Sequence, residues 1–155
     1  MGGIFISYRR GGHIDVVSSL GDRLAEYFGC DQVFLDISSI RLGARFPDVL
    51  KERLHDSEVV LAVIHAQWFT ECNANGIRRL DDKEDWVRQE LEIALQADKK
   101  IIPILLDEVP TPGADELPES IRDVSTRQAH RIRAGSRDSD IEELISQVHN
   151  DVAPL

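Results

Sequence analysis

A doubly wound α/β domain, a five-stranded parallel sheet with helices on both faces, is the fold class this sequence predicts. Three observations predict it. Short apolar runs alternate with amphipathic stretches of helical period from one end of the chain to the other. One of the runs, Glu58 to Ile64, is almost continuously apolar, as expected of a strand covered on both faces of a parallel sheet. A chain of 155 residues also fits one core, and can bury roughly two-thirds of the surface its unfolded form exposes.

Taken in order, Ile4 to Ser7 reads as the first strand. Val16 to Phe28 follows as a helix with Val17, Leu20, Leu24 and Phe28 on its apolar side, and Gly29 closes it. Val33 to Leu35 is the second strand, ending at Asp36. A loop runs from Ile37 to Arg45, and Pro47 suits the first turn of a helix reaching Leu54. The third strand, Glu58 to Ile64, leads into a polar excursion from Glu71 to Asp82. A helix from Glu84 to Ala97 comes next, and Ile101 to Leu106 is the fourth strand. Pro110, Pro112 and Pro118 mark a loop. Glu119 to Val124 is a short helix, Gln128 to Ile132 a weaker fifth strand, and Ile141 to Val148 a terminal amphipathic helix. In such folds ligands lie beyond the carboxyl ends of the strands, which selects Ser7 to Gly12, Asp36 to Phe46, and His65 to Glu90.

Composition excludes several function classes. The formal net charge of −10 argues against broad nucleic-acid binding, which needs clustered Lys and Arg. It leaves room for an anionic small molecule at a local basic patch, and Arg9-Arg10 at the end of the first strand is the obvious one. Cys30 and Cys72 are too few for a disulfide framework and read as buried thiols in a reducing compartment. No apolar run approaches the roughly 20 residues of a membrane span, and Met1-Gly2-Gly3 opens no signal peptide, so a cytoplasmic location is expected. His13, His55, His65, His130 and His149 show no metal-binding spacing and read as surface or structural residues, so no metal is expected. No G-x-G-x-x-G follows a strand, which argues against a Rossmann oxidoreductase.

Glu90 is the residue that needs an explanation. Trp86, Val87, Leu91, Ile93, Ala94 and Leu95 share one arc of the helix, and Glu90 falls inside it, whereas Arg88, Gln89, Glu92 and Gln96 form the opposite, solvated side. A carboxylate in apolar surroundings costs free energy unless it is paired or hydrogen-bonded. Periodicity alone leaves two readings open, an internal hydrogen bond or ion pair and a catalytic acid. Trp86 lies one turn earlier and sets a flat aromatic surface beside it.

Three blocks together resemble TIR domains: Ile4-Phe5-Ile6-Ser7-Tyr8-Arg9-Arg10; Val33-Phe34-Leu35-Asp36 with Gly43 and Phe46; and Asp85-Trp86-Val87-Arg88-Gln89-Glu90. The resemblance covers nearly the whole chain. The Trp-Val-x-x-Glu block is similar to the NAD-cleaving branch found in bacterial TIR proteins and in an animal enzyme of axon degeneration. The resemblance implies a single flavodoxin-like TIR domain over residues 1–155, of the kind cut from a larger sensor-effector protein. It implies NAD+ cleavage, with NAD+ as substrate and no cofactor, in signalling or antiviral defence of bacterial type. Glu90 matches the catalytic glutamate, and Arg9 and Arg10 a nucleotide-contacting pair. Ser7, Tyr8 and Trp86 belong to the same substrate site. Asp36, Arg41, Gly43 and Phe46 belong to a loop that contacts substrate and neighbouring TIR domains. Arg41 stands where the animal enzyme has an acidic residue, and one extra residue separates Gly43 from Phe46.

The chemistry is coherent. Nicotinamide on ribose is a pyridinium cation, so it leaves as a neutral molecule without a general acid, while positive charge develops on the ribose. One fixed carboxylate can stabilise that charge, where ordinary glycoside hydrolysis uses two. Arg9, Arg10, Arg41 or Arg45 would hold the diphosphate through charge-assisted hydrogen bonds. Water attacking the ribose gives ADP-ribose, and attack by the substrate's own groups gives a cyclic isomer. Activity through head-to-tail self-association is a further expectation.

Three rival readings fit parts of the same pattern. A purely structural TIR–TIR assembly module would bind other TIR domains through the loop after the second strand. A nucleoside deoxyribosyltransferase-like enzyme would use the same acid on a nucleoside. A response-regulator receiver would use Asp36 as phosphoacceptor, but Ser7-Tyr8-Arg9-Arg10 stands where its magnesium-binding acids belong.

Overall fold

The computed structural model describes residues 3–9, 14–35 and 46–149. Five strands, β1 (Gly3–Ser7), β2 (Val33–Leu35), β3 (Ser57–Ile64), β4 (Lys100–Leu106) and β5 (His130–Ile132), form one sheet in the order β2-β1-β3-β4-β5, and every pairing is parallel. Four α-helices are described: α1 (Ile14–Phe28), α2 (Phe46–His55), α3 (Trp86–Gln96) and α4 (Arg137–Val148). The expected α/β class and five parallel strands are therefore present.

Strand periodicity sorts the core into two layers, because successive side chains point to opposite faces. Ile4, Ile6 and Tyr8 pack with Val59, Leu61 and Val63 of β3 against Val17, Leu20 and Leu24 of α1 and Ile141, Leu144 and Ile145 of α4. Phe5, Val60, Ala62 and Ile64 pack on the other side with Leu54 of α2 and Val87, Leu91 and Ala94 of α3. β3 is the middle strand, and Val59 to Ile64 are all buried, which accounts for its nearly unbroken apolar sequence.

Several boundaries differ from those expected. α1 begins two residues earlier, at Ile14, and α4 four residues earlier, at Arg137, because apolar periodicity does not register the polar first turn of α4. In α4 that turn carries Asp138 and Asp140, acids that suit a helix N-terminus. The short helix expected at Glu119 is a 3-10 segment, Glu119–Thr126, interrupted at Ile121 (φ −123°, ψ 16°). There the Ser125 and Thr126 hydroxyls donate to the carbonyls of Arg122 and Asp123, competing with regular helical bonding. Gly29 ends α1 as expected: its φ of 105° is open to glycine at little cost, and its amide bonds the Ala25 carbonyl. Cys30 and Cys72 are both exposed, so the expectation of buried thiols is corrected. Among the described residues no helix is long and apolar enough to cross a membrane.

Candidate active site

The site grows from the way β1 faces α3. Phe5, Ser7 and Arg9 share one side of the strand, and α3 runs down that side from its N-terminus at the carboxyl edge of the sheet. Phe5 belongs to the apolar layer with Leu91 and Ala94. One rung higher, the Ser7 hydroxyl donates to Glu90 Oε1 at 2.7 Å. At the top, Arg9 donates through Nη1 and Nη2 to Asp85 Oδ1 and Oδ2 at 2.8 and 3.0 Å. The same strand face thus passes from apolar contact to a neutral donor on an acid to a forked ion pair.

Glu90 is only 1% exposed and sits among Val87, Leu91 and Ala94, the buried stripe of α3. The stripe is narrower than expected: Ile93 and Leu95 are half-buried, and Trp86, at the first helical position, is 37% exposed. Trp86 still precedes Glu90 by four residues, the spacing of neighbouring helical side chains. A buried acid that accepts from the Ser7 hydroxyl at the sheet's carboxyl edge, with a partly open indole one turn away, can stabilise cationic charge developing on a bound sugar.

Asp85 has two roles that the apolar pattern does not reveal. It is the N-cap of α3: its Oδ2 accepts from the Arg88 amide at 3.1 Å, and its carbonyl accepts from the Gln89 amide at 3.0 Å. An Asp immediately before Trp86-Val87 is itself a helix-start signal and could have shortened the expected helix. The carboxylate also faces the Arg9 fork, and side chains on both sides of this pair are nearly inaccessible. Trp68, at the end of the 3-10 turn Ala66–Trp68 after β3, lies under the guanidinium with 5.9 Å from Cζ to ring centroid. Nothing in its sequence neighbourhood announced that contact.

Two expected substrate contacts therefore take other positions. Arg9 is 3% exposed with its fork occupied by Asp85, which leaves the expected phosphate contact without a free face. Tyr8 packs into the α1 and α4 layer, on the opposite side of β1 from Glu90, because strand side chains alternate. Ser7 bonds Glu90, and Trp86 lies one helical turn before it. Arg10, Asp36, Arg41, Gly43 and Arg45 fall outside the described residues; Phe46 opens α2, but its side chain is also outside them.

The flanks are more structured than a solvated face would be. Arg88 pairs with Glu92 at 2.9 Å and donates to the Leu80 carbonyl, and Ser120 donates to the same Glu92 oxygen. In the excursion before α3, Asn73 accepts from the amides of Asn75 and Ile77 and donates to Asp82, while Arg78 forks onto Asp81. Arg78 holds Asp81 below the ordinary carboxylate range, and the Glu84 amide with the Asn73 side chain does the same for Asp82. His65 and His130 are buried, and His130 bonds the Asp140 carbonyl, a structural arrangement as expected.

The fold and this edge define a flavodoxin-like domain with an acid buried beneath the carboxyl ends of its central strands. The chain belongs to the TIR domain family, whose model matches residues 4–145. It is 28% identical over 122 residues to the NAD(+) hydrolase sarm1 of Drosophila melanogaster, a match covering 79% of this chain and only 8% of that protein's length. The fold resembles the TIR domains of the activated Roq1 resistosome, with a TM-score of 0.71, 14% identity, and 96% and 99% of the two chains covered. It also resembles a metazoan TIR-STING receptor from C. gigas (TM-score 0.61, 18% identity, 98% of this chain and 40% of that one). A CMP N-glycosidase of Clostridium botulinum, BcmB, has a TM-score of 0.50 at 12% identity, with 93% and 98% covered.

Proposed function

We propose that this TIR domain is an NAD+ glycohydrolase, with Glu90 as its catalytic carboxylate. The observation that carries the reading is a glutamate 1% exposed, held by the Ser7 hydroxyl at the carboxyl edge of a parallel sheet. The name of the Drosophila relative supports the same chemistry. In the reaction the C1′–N bond of nicotinamide riboside breaks, its electron pair leaves with neutral nicotinamide, and Glu90 stabilises the cationic ribose. Water then adds at C1′ and loses one proton to solvent, giving ADP-ribose. Addition of the substrate's own adenine or ribose oxygen in place of water gives a cyclic isomer. Trp86 covers a ring of the substrate, while Arg10 and the loop carrying Asp36, Arg41, Gly43 and Phe46 take the diphosphate. Self-association completes the site, a reading supported by the likeness to TIR domains of a resistosome.

The test is incubation of the protein with NAD+, with CMP and with deoxynucleosides over a range of protein concentrations, followed by chromatographic separation. Nicotinamide release that rises more steeply than protein concentration is the expected result. Glu90→Gln should lose activity by roughly 10²- to 10⁴-fold. Full activity in that variant removes the catalytic assignment. Cleavage of CMP or nucleosides without cleavage of NAD+ replaces the substrate, and no turnover of any of them favours an assembly module.

A further inference from the structure

We infer that the buried Arg9–Asp85 pair is the positioning device of this site: it locks the first turn of α3 and thereby holds Glu90 against Ser7, and Arg9 does not bind the substrate's phosphates. The kinetic part of this inference rests on the NAD+-cleaving reading; its structural part does not.

The geometry is specific. Asp85 bonds Arg9 with both carboxylate oxygens and, with one of them, the Arg88 amide, so one side chain joins β1 to the start of α3. Glu90 follows five residues later, and its helical amide bond reaches back to Trp86, inside the turn that Asp85 caps. Two residues before Arg9, at the end of β1, Ser7 meets Glu90. Strand and helix are therefore tied at two adjacent rungs, and the upper tie sets the height of the lower. A phosphate could reach the Arg9 fork only by displacing Asp85, leaving a buried acid unpaired and placing a second anion beside it. Trp68 covers a face of the guanidinium, and Arg9 Nε is buried without a hydrogen-bond partner among the described residues. An arginine built to grip an exchangeable anion would present its fork to solvent. This one spends it inside the protein.

The experiment compares Arg9→Met, Asp85→Asn, the double variant and Arg9→Lys. The readouts are kcat and KM for NAD+ and amide hydrogen exchange across Arg88 to Leu91. Asn keeps the helix cap while removing the charge of the pair. Positioning predicts that each single change lowers kcat about 10- to 100-fold with KM nearly constant, and speeds exchange at the start of α3. It also predicts that the double variant, which buries no lone charge, is less impaired than the two losses combined. Arg9→Lys, keeping the charge without the fork, should not recover kcat. A raised KM in Arg9→Met with kcat and exchange unchanged, and recovery in Arg9→Lys, would overturn the inference in favour of phosphate binding. Unchanged exchange in both single variants would overturn it too. If the wild type cleaves no NAD+, exchange alone decides. If Asp85→Asn does not fold, Arg9→Lys and Arg9→Met carry the comparison.

Discussion

The two faces of β1 belong to the same short strand, yet they do different work. On one side Ile4, Ile6 and Tyr8 pack with the apolar residues of α1 and α4. On the other Phe5 packs likewise, but Ser7 and Arg9 meet Glu90 and Asp85. Burial is nearly complete on both sides, so exposure does not distinguish them. The difference is that apolar packing is indifferent to the direction of contact, whereas hydrogen bonds fix position and angle. The α3 face is the one built to hold atoms in place.

Glu90→Gln breaks the comparison most sharply. Its amide oxygen can still accept from Ser7, so the activity loss should come with little change in melting temperature, measured by calorimetry on the same samples. Leu20→Ala tests the opposite face. Leu20 is fully buried in the α1 layer, and its truncation should cost about 2–5 kcal/mol in urea unfolding while kcat and KM of the folded fraction stay near wild type. A comparable fall in kcat would mean that the two faces are coupled.

Ser7→Ala lies between these cases. It leaves the buried carboxylate one donor short, at about 1–3 kcal/mol of stability, and should lower kcat while KM stays constant. The smallest effect belongs to the rim of the α4 face. Burial acts to raise the pKa of Asp140, but the Arg133 amide and the Ser136 hydroxyl bond its carboxylate and hold it below the ordinary carboxylate range. A group whose folded pKa is depressed stabilises fully above its unfolded value, and that contribution disappears as pH falls through the folded one. The stability difference between wild type and Asp140→Asn should therefore be constant near neutrality and shrink below about pH 4. A difference that grows with acid would reverse the assignment.

Legibility in the sequence followed the kind of interaction. The strands Ile4 to Ser7, Val33 to Leu35 and Ile101 to Leu106 were readable because apolar runs report burial. The start of α4 was not, since its first turn is polar. Glu90 stood out as an acid inside an apolar stripe, and the structure gives it a donor in Ser7. The partner of Arg9 was not legible, because a basic pair at a strand end looks the same whether it faces solvent or an internal acid. Asp85 carried a capping signal, but nothing in its neighbours named Arg9, 76 residues away in sequence, as its partner.

By itself, then, the sequence determined the α/β class, the five strands and the oddity of Glu90, because periodicity and side-chain polarity are local properties that burial must respect. Which donor meets Glu90, which acid occupies the Arg9 fork and which side of β1 receives Tyr8 were decided only by tertiary structure. Those contacts depend on how a strand and a helix distant in sequence are brought into register, and register is set by the packing of the whole sheet.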